Sequence, residues 1–164
     1  MSDQVVDELH LEHFLPYRLS ILSNRVSNAI AADYGERFQL SMPAWRVMAI
    51  LGRYPGLVAA ELVEKTAMDK VAISRAVALL LDRGYITRDE HSSDRRRWIL
   101  NLSEAGEVIY HRIVPLAKSY ERDLLENWNA EEVALLHDML DRMNARALSW
   151  LEHGLAAGRG SADE

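Results

Sequence analysis

The sequence predicts a mainly α-helical fold with one small β-hairpin, and three observations carry that prediction. Apolar residues recur at helical spacing near both ends of the chain. Two short helical patterns fill the middle, with helix-capping residues and glycines at their borders. Alternating apolar and polar residues follow Gly84.

The first helix falls within residues 9–34, where Leu11, Phe14, Leu15, Leu19, Leu22, Val26 and Ile30 form one stripe. Pro16 either opens its first turn or kinks it. Ser41 suits the N-cap of a second helix over 41–53, with Trp45, Met48 and Ala49 turned inward, and Tyr54-Pro55-Gly56 breaks it. A short third helix spans 58–66, and Asp69 caps a fourth that Gly84 ends. On the fourth, Ile73, Val77, Leu80 and Leu81 form the core side. Residues 85–102 form a two-stranded wing around the polar tip 90–94. Ser103 caps a long fifth helix, bent or loosened at Pro115. Asn129, with Glu132 three residues on, forms a capping box for a last helix ending near Leu151. Its stripe of Leu136, Met139, Leu140, Met143, Ala147, Trp150 and Leu151 must be buried against something. Few elements remain to cover it within one chain, so a dimer built from both ends of the chain is expected.

The expected organisation is a winged helix-turn-helix lobe at 39–102, dimerisation helices at 1–38 and 103–153, and a frayed tail at 154–164. With 164 residues the chain has enough material for a real core. It contains no cysteine, which excludes disulfides and thiolate metal sites. No apolar run approaches the roughly 18 residues needed to span a bilayer, and no signal-peptide pattern follows Met1, so a cytoplasmic protein without membrane contact is expected.

A net charge of −6 looks unsuited to DNA, but its distribution is uneven. Residues 65–97 hold eight Lys/Arg against five Asp/Glu, while the remainder is strongly acidic. Such a body steers DNA to one surface and repels it elsewhere. On the fourth helix Lys70, Val71, Ser74, Arg75 and Ala78 share the face opposite the core. Arg75 suits bidentate pairing with guanine, Ser74 a base or phosphate, Lys70 a phosphate, and Val71 a thymine methyl. Arg95, Arg96 and Arg97 stand just past the wing tip, where a narrow minor groove attracts guanidinium groups. Asp94 is either a solvated turn residue or a carboxylate that pins one of these arginines.

The segments Leu40-Ser-Met-Pro-Ala-Trp45, Glu61-Leu62, Ile73-Ser-Arg-Ala-Val77, Arg83-Gly-Tyr-Ile86, Arg88, Asp94-Arg-Arg96 and Leu102-Ser-Glu-Ala-Gly106 resemble the MarR family of transcriptional regulators. The resemblance covers the winged core and implies a homodimer that binds a double-stranded DNA operator. Reading helices would enter successive major grooves and wings the flanking minor grooves. It singles out Arg96 as the wing contact, held by Asp94. One departure stands out: Val58 replaces the Thr or Ser that usually opens the third helix, a change expected to cost about 1 kcal/mol of capping.

Regulators of this kind commonly bind small anionic aromatics between the dimer helices and the DNA-reading lobe. His10, Tyr17, Ser20, Arg46 and His111, with Trp45 and Tyr110, are the residues here that suit a carboxylate and phenolic oxygens. The segment 9–20 is similar to regulators of aromatic-acid and hydroxycinnamate breakdown, which implies an aromatic carboxylate or its coenzyme A thioester as effector. Alternatives stay open: Tyr17 in the dimer interface, Arg46 in a surface ion pair, or a constitutive or metal-responsive regulator with no aromatic effector. An enzyme is not expected. His10-x-x-His13 lacks the third ligand and general base of a catalytic metal site, and no phosphate loop, dinucleotide fingerprint or nucleophile elbow occurs. No cofactor or resident metal is expected.

Overall fold

The structure, a computed structural model, describes residues 8–90 and 98–154. The chain divides into two compact units, residues 1–117 and 118–164.

The first unit begins with α1 (Leu15–Phe38). Pro16 sits in the first turn, so it opens the helix rather than kinking it. The helix runs past Tyr34 to Phe38, where Gln39 takes a left-handed conformation (φ 54°) and its N–H bonds the carbonyls of Gly35 and Tyr34. Next comes α2 (Met42–Arg53), capped by Ser41, whose hydroxyl accepts from the Ala44 N–H. Gly56, with φ +82°, makes the turn that Tyr54 and Pro55 begin. Then α3 (Ala59–Thr66) and α4 (Lys70–Asp82) form the helix-turn-helix. Asp69 caps α4 by accepting from the Ala72 N–H at 2.8 Å, and Gly84 (φ +68°) turns the chain into the wing.

The wing pairs β1 (Ile86–Glu90) antiparallel to β2 (Trp98–Leu102), with Ile86 opposite Leu102 and Glu90 opposite Trp98. Glu90, expected at the tip, is thus the last paired residue of β1. Leu57 adds a single bridge to Leu100, its carbonyl accepting from the Leu100 N–H at 2.8 Å. This ties the α2–α3 connection to the wing.

The core draws on every element of this unit. Leu40, Ala44, Val47, Met48 and Leu51 meet Leu62 of α3, Ile73, Ala76 and Leu80 of α4, and Ile86 and Leu100 of the wing. Tyr34 of α1 and Ile113 of α5 (Glu104–Leu124) are also fully buried. Two expectations need correction. Trp45 is only half-buried, at the rim between Tyr34 and Tyr110. On α4 the small Ala76 is buried, whereas Val77 and Leu81 are half-buried and line a groove with Trp98 and Leu100. Residues 73, 76 and 80 follow one helical face, and an alanine's burial is not visible from its hydropathy alone.

The wing's exit is closely fitted. The Ser103 hydroxyl donates to the Gly84 carbonyl and accepts from the Gly106 N–H at 3.0 Å, while the Ser103 N–H bonds the Tyr85 carbonyl at 3.0 Å. A β-carbon on Gly106 would lie 1.8 Å from that Tyr85 oxygen. The start of α5 therefore rests directly on the turn that ends α4.

The second unit holds the end of α5 and α6 (Ala130–His153). Asn129 and Glu132 form the full reciprocal capping box. No residue of α6 is buried in the single chain, and Met139, Leu140, Trp150 and Leu151 are exposed. Pro115 lies inside α5. Among the described residues no helix is long and apolar enough to cross a membrane.

Candidate nucleic-acid interface

The reading face is built by α4. Burying Ile73, Ala76 and Leu80 turns Lys70, Val71, Ser74, Arg75 and Ala78 outward, and all five are exposed. The turn before this helix is held locally. The Thr66 hydroxyl donates to the Leu62 carbonyl at 2.7 Å and accepts from the Met68 N–H, and Ala67 takes a left-handed conformation (φ 51°). The exposed Val71 is an apolar side chain with no place in the core, at a position suited to a thymine methyl.

Arg88 of β1 lies over the Trp98 ring, 4.8 Å from its centre, which braces the two strands against each other. Asp94, Arg95, Arg96 and Arg97 lie outside the described residues. Their anchor points, Glu90 and Trp98, are directly opposed.

Sequence reasoning missed a further basic cluster on the same lobe. The exposed Tyr54 ring is flanked by Arg53 at 5.1 Å and Lys65 at 4.6 Å, measured to its centre. The two cations come from the ends of different helices, so no periodicity links them.

The candidate effector residues fall into separate places. Arg46 donates to the Ser27 hydroxyl at 3.4 Å, joining α2 to α1. Tyr110 stacks on Trp45 with ring centres 6.0 Å apart, and His111 meets the edge of Tyr110 at 5.4 Å. A cavity of about 280 Å³ opens there, lined by Gly52, Pro55, Asn101, Glu107, Tyr110 and His111 among others. His10, Tyr17, Ser20 and Arg46 do not line it. His10 precedes α1, and Tyr17 and Ser20 are exposed on its first turns. Among the described residues no group of three metal-ligating side chains forms.

The MarR family model matches residues 38–97, a stretch that includes α2, the helix-turn-helix and strand β1 of the wing. The transcriptional regulator HosA of Escherichia coli is 26% identical over 104 residues, covering 63% of this chain and 77% of that protein. An uncharacterised HTH-type transcriptional regulator of Bacillus cereus is 26% identical over 119 residues, 72% of this chain and 79% of the relative. A MarR/EmrR family transcriptional regulator from Acinetobacter sp. ADP1 superposes with a TM-score of 0.80 over 86% of this chain and 99% of its own, at 24% identity. A MarR family regulator from Silicibacter pomeroyi gives a TM-score of 0.75 at 25% identity, covering 85% and 95%. The chain is therefore similar to MarR family regulators in its helix-turn-helix stretch and shares their winged-helix fold. The proteins it resembles are transcriptional regulators.

Within the MarR frame the Val58 departure has a physical resolution. Valine has no acceptor, so only half the cap forms: Glu61 accepts from the Val58 N–H at 2.8 Å. The side chain itself is buried, at 7% exposure. Its burial offsets part of the missing hydroxyl cap, so the cost expected from the sequence is reduced.

Proposed function

We propose that this protein is a homodimeric repressor on a pseudo-palindromic operator, released by a small aromatic carboxylate or its coenzyme A thioester. The observation that carries the DNA reading is the outward face of α4, where Lys70, Val71, Ser74 and Arg75 stand exposed on a helix fixed by its own core contacts. Lys70 near the helix start positions the protein on phosphate, and Arg75 with Ser74 and Val71 reads bases. The wing arginines Arg95, Arg96 and Arg97, with Asp94 as support, take the flanking minor groove in this reading.

The dimer is supported by α6, which has no buried residue and a continuous apolar stripe. Residues 1–38 and 103–153 form the dimer region in this proposal, and residues 39–102 the DNA lobe. Half-sites then lie about one helical turn of DNA apart, roughly 10 base pairs. For the effector, the ring cluster of Trp45, Tyr110 and His111 beside the cavity supports an aromatic guest. His111 is the polar group at the cavity itself, while Arg46, His10, Tyr17 and Ser20 do not line it in the single chain and join the site in this reading only through the dimer. A ligand that prefers a dimer with misplaced reading helices shifts the population by its differential affinity. About 1–3 kcal/mol of coupling suffices for induction.

The test is binding to DNA from upstream of the protein's own gene, with the parent and Arg75→Ala compared at one salt concentration. Arg75→Ala should lose about 1–3 kcal/mol and relax one base position. Parental binding by the variant would refute the assigned docking. Adding hydroxycinnamates, benzoates and their thioesters should release the parent. If none does, the protein is a constitutive binder and the effector assignment fails.

A further inference from the structure

Helix α1 meets the DNA lobe at a short joint made of Gln39, Leu40 and Ser41. Gln39 takes a left-handed conformation (φ 54°), which a residue with a β-carbon seldom adopts, and Leu40 after it is buried. The Gln39 carbonyl, at the end of α1, accepts from Nη1 of Arg83 at 2.6 Å. Arg83 lies 44 residues further on and is the C-cap of α4, the reading helix. On the same end of α1, the Arg112 guanidinium of α5 lies over the Phe38 ring, 5.6 Å from its centre. Earlier along α1, Tyr34 meets the Trp45 ring edge-on at 5.5 Å, and Arg46 reaches Ser27 at 3.4 Å, so α1 is also held to α2. Arg83 differs from these contacts in joining α1 to the reading helix.

Two plainer roles fit less well. An arginine beside a helix carboxyl terminus ordinarily caps the last carbonyls from within its own last turn. The basic residue in the last turn of α1 is Arg37, which pairs with Asp33, and the group at the Gln39 carbonyl comes from another helix. Direct contact with operator phosphate is the other role. Arg83 follows the far end of α4, whose 13 residues make it about 20 Å long, while the proposed base-reading residues cluster at its start.

That distance makes the bond a lever. Ile73, Ala76 and Leu80 pack α4 into the lobe, so the lobe turns with it as a body. A rotation of about 10° around Arg83 swings the start of α4 by about 3.5 Å, close to one base-pair step of duplex DNA. We propose that Arg83 is a positioning residue: its bond to Gln39 sets the separation of the two reading helices, and thereby the half-site spacing of the operator, without touching DNA. This rests on the dimer reading given above, in which α1 belongs to the dimer region and α4 to the DNA lobe.

Binding of the full-length protein to DNA from upstream of its own gene tests this, using the natural fragment and versions with one base pair inserted or removed between half-sites. The parent should prefer the natural spacing. Arg83→Met keeps the aliphatic stem without a donor. It should bind the natural fragment about three- to tenfold more weakly and lose a similar factor of spacing preference, the scale of one hydrogen bond. Arg83→Lys, which keeps a donor, should restore part of both. The slope of log affinity against log salt should stay parental in Arg83→Met, because no phosphate contact is lost. Spacing preference is a ratio of affinities measured on one protein, so a folding defect cancels from it. Full spacing preference in Arg83→Met would make the bond a helix cap only and overturn the proposal, as would a salt slope flattened by about one, the mark of a phosphate contact. A parent indifferent to spacing would overturn the dimer reading and the proposal together.

Discussion

Gly106→Ala isolates the contact that joins the DNA lobe to α5. Glycine in a helix interior is poorer than alanine by about 1 kcal/mol, so propensity alone makes this substitution stabilising. Packing reverses the sign. The new β-carbon would sit 1.8 Å from the Tyr85 carbonyl oxygen and 2.8 Å from its carbon, both backbone atoms that no rotamer change can move. Relief requires a shift of more than about 1 Å between α5 and the α4–β1 turn, which costs about 1–3 kcal/mol as overpacking. The same shift stretches the Ser103 to Tyr85 hydrogen bond, worth about 1 kcal/mol. The net expectation is a loss of about 1–3 kcal/mol. In urea, with a slope of about 2 kcal/mol per molar, that lowers the midpoint by about 0.5–1.5 M. Parent and variant must be compared at one protein concentration, because the stability of the proposed dimer depends on it. Gly35→Ala is the control. Nothing lies within 4 Å of its β-carbon, so it should gain about 0.5–1 kcal/mol. A Gly106→Ala protein as stable as its parent, or more so, would refute the close approach.

Two further outcomes follow from caps and exposed faces. Asp69→Ala removes the acceptor for the Ala72 N–H and should cost about 1 kcal/mol, with Asp69→Asn retaining most of it; equal urea midpoints for Ala and Asn would remove the cap from the account. Met139→Asp places a charge on the apolar stripe of α6 and should move sedimentation from dimer toward monomer, while an unchanged dimer at micromolar concentration would locate the interface elsewhere.

How much was legible before the structure can be judged residue by residue. The caps at Ser41, Asp69, Ser103 and Asn129 were visible because a cap is a local event, decided by one side chain and the three residues after it. The outward set on α4 was visible for a similar reason, since helical periodicity alone separates Ile73 and Leu80 from Lys70 and Arg75. The burial of Ala76 and the half-exposure of Trp45 were not legible, because each depends on which neighbour arrives from another element.

The sequence by itself determined the order of the helices and the wing, the helix caps and the charge asymmetry, because these rest on interactions within a few residues. Only the tertiary structure decided what lies across from what. It set Gly106 on the Tyr85 carbonyl, stacked Tyr110 on Trp45, and tied Arg46 to Ser27. It also collected Arg37, Arg83 and Arg112 from three helices around one cleft. Those partners are separated by tens of residues, and no local propensity specifies a contact that chain folding alone creates.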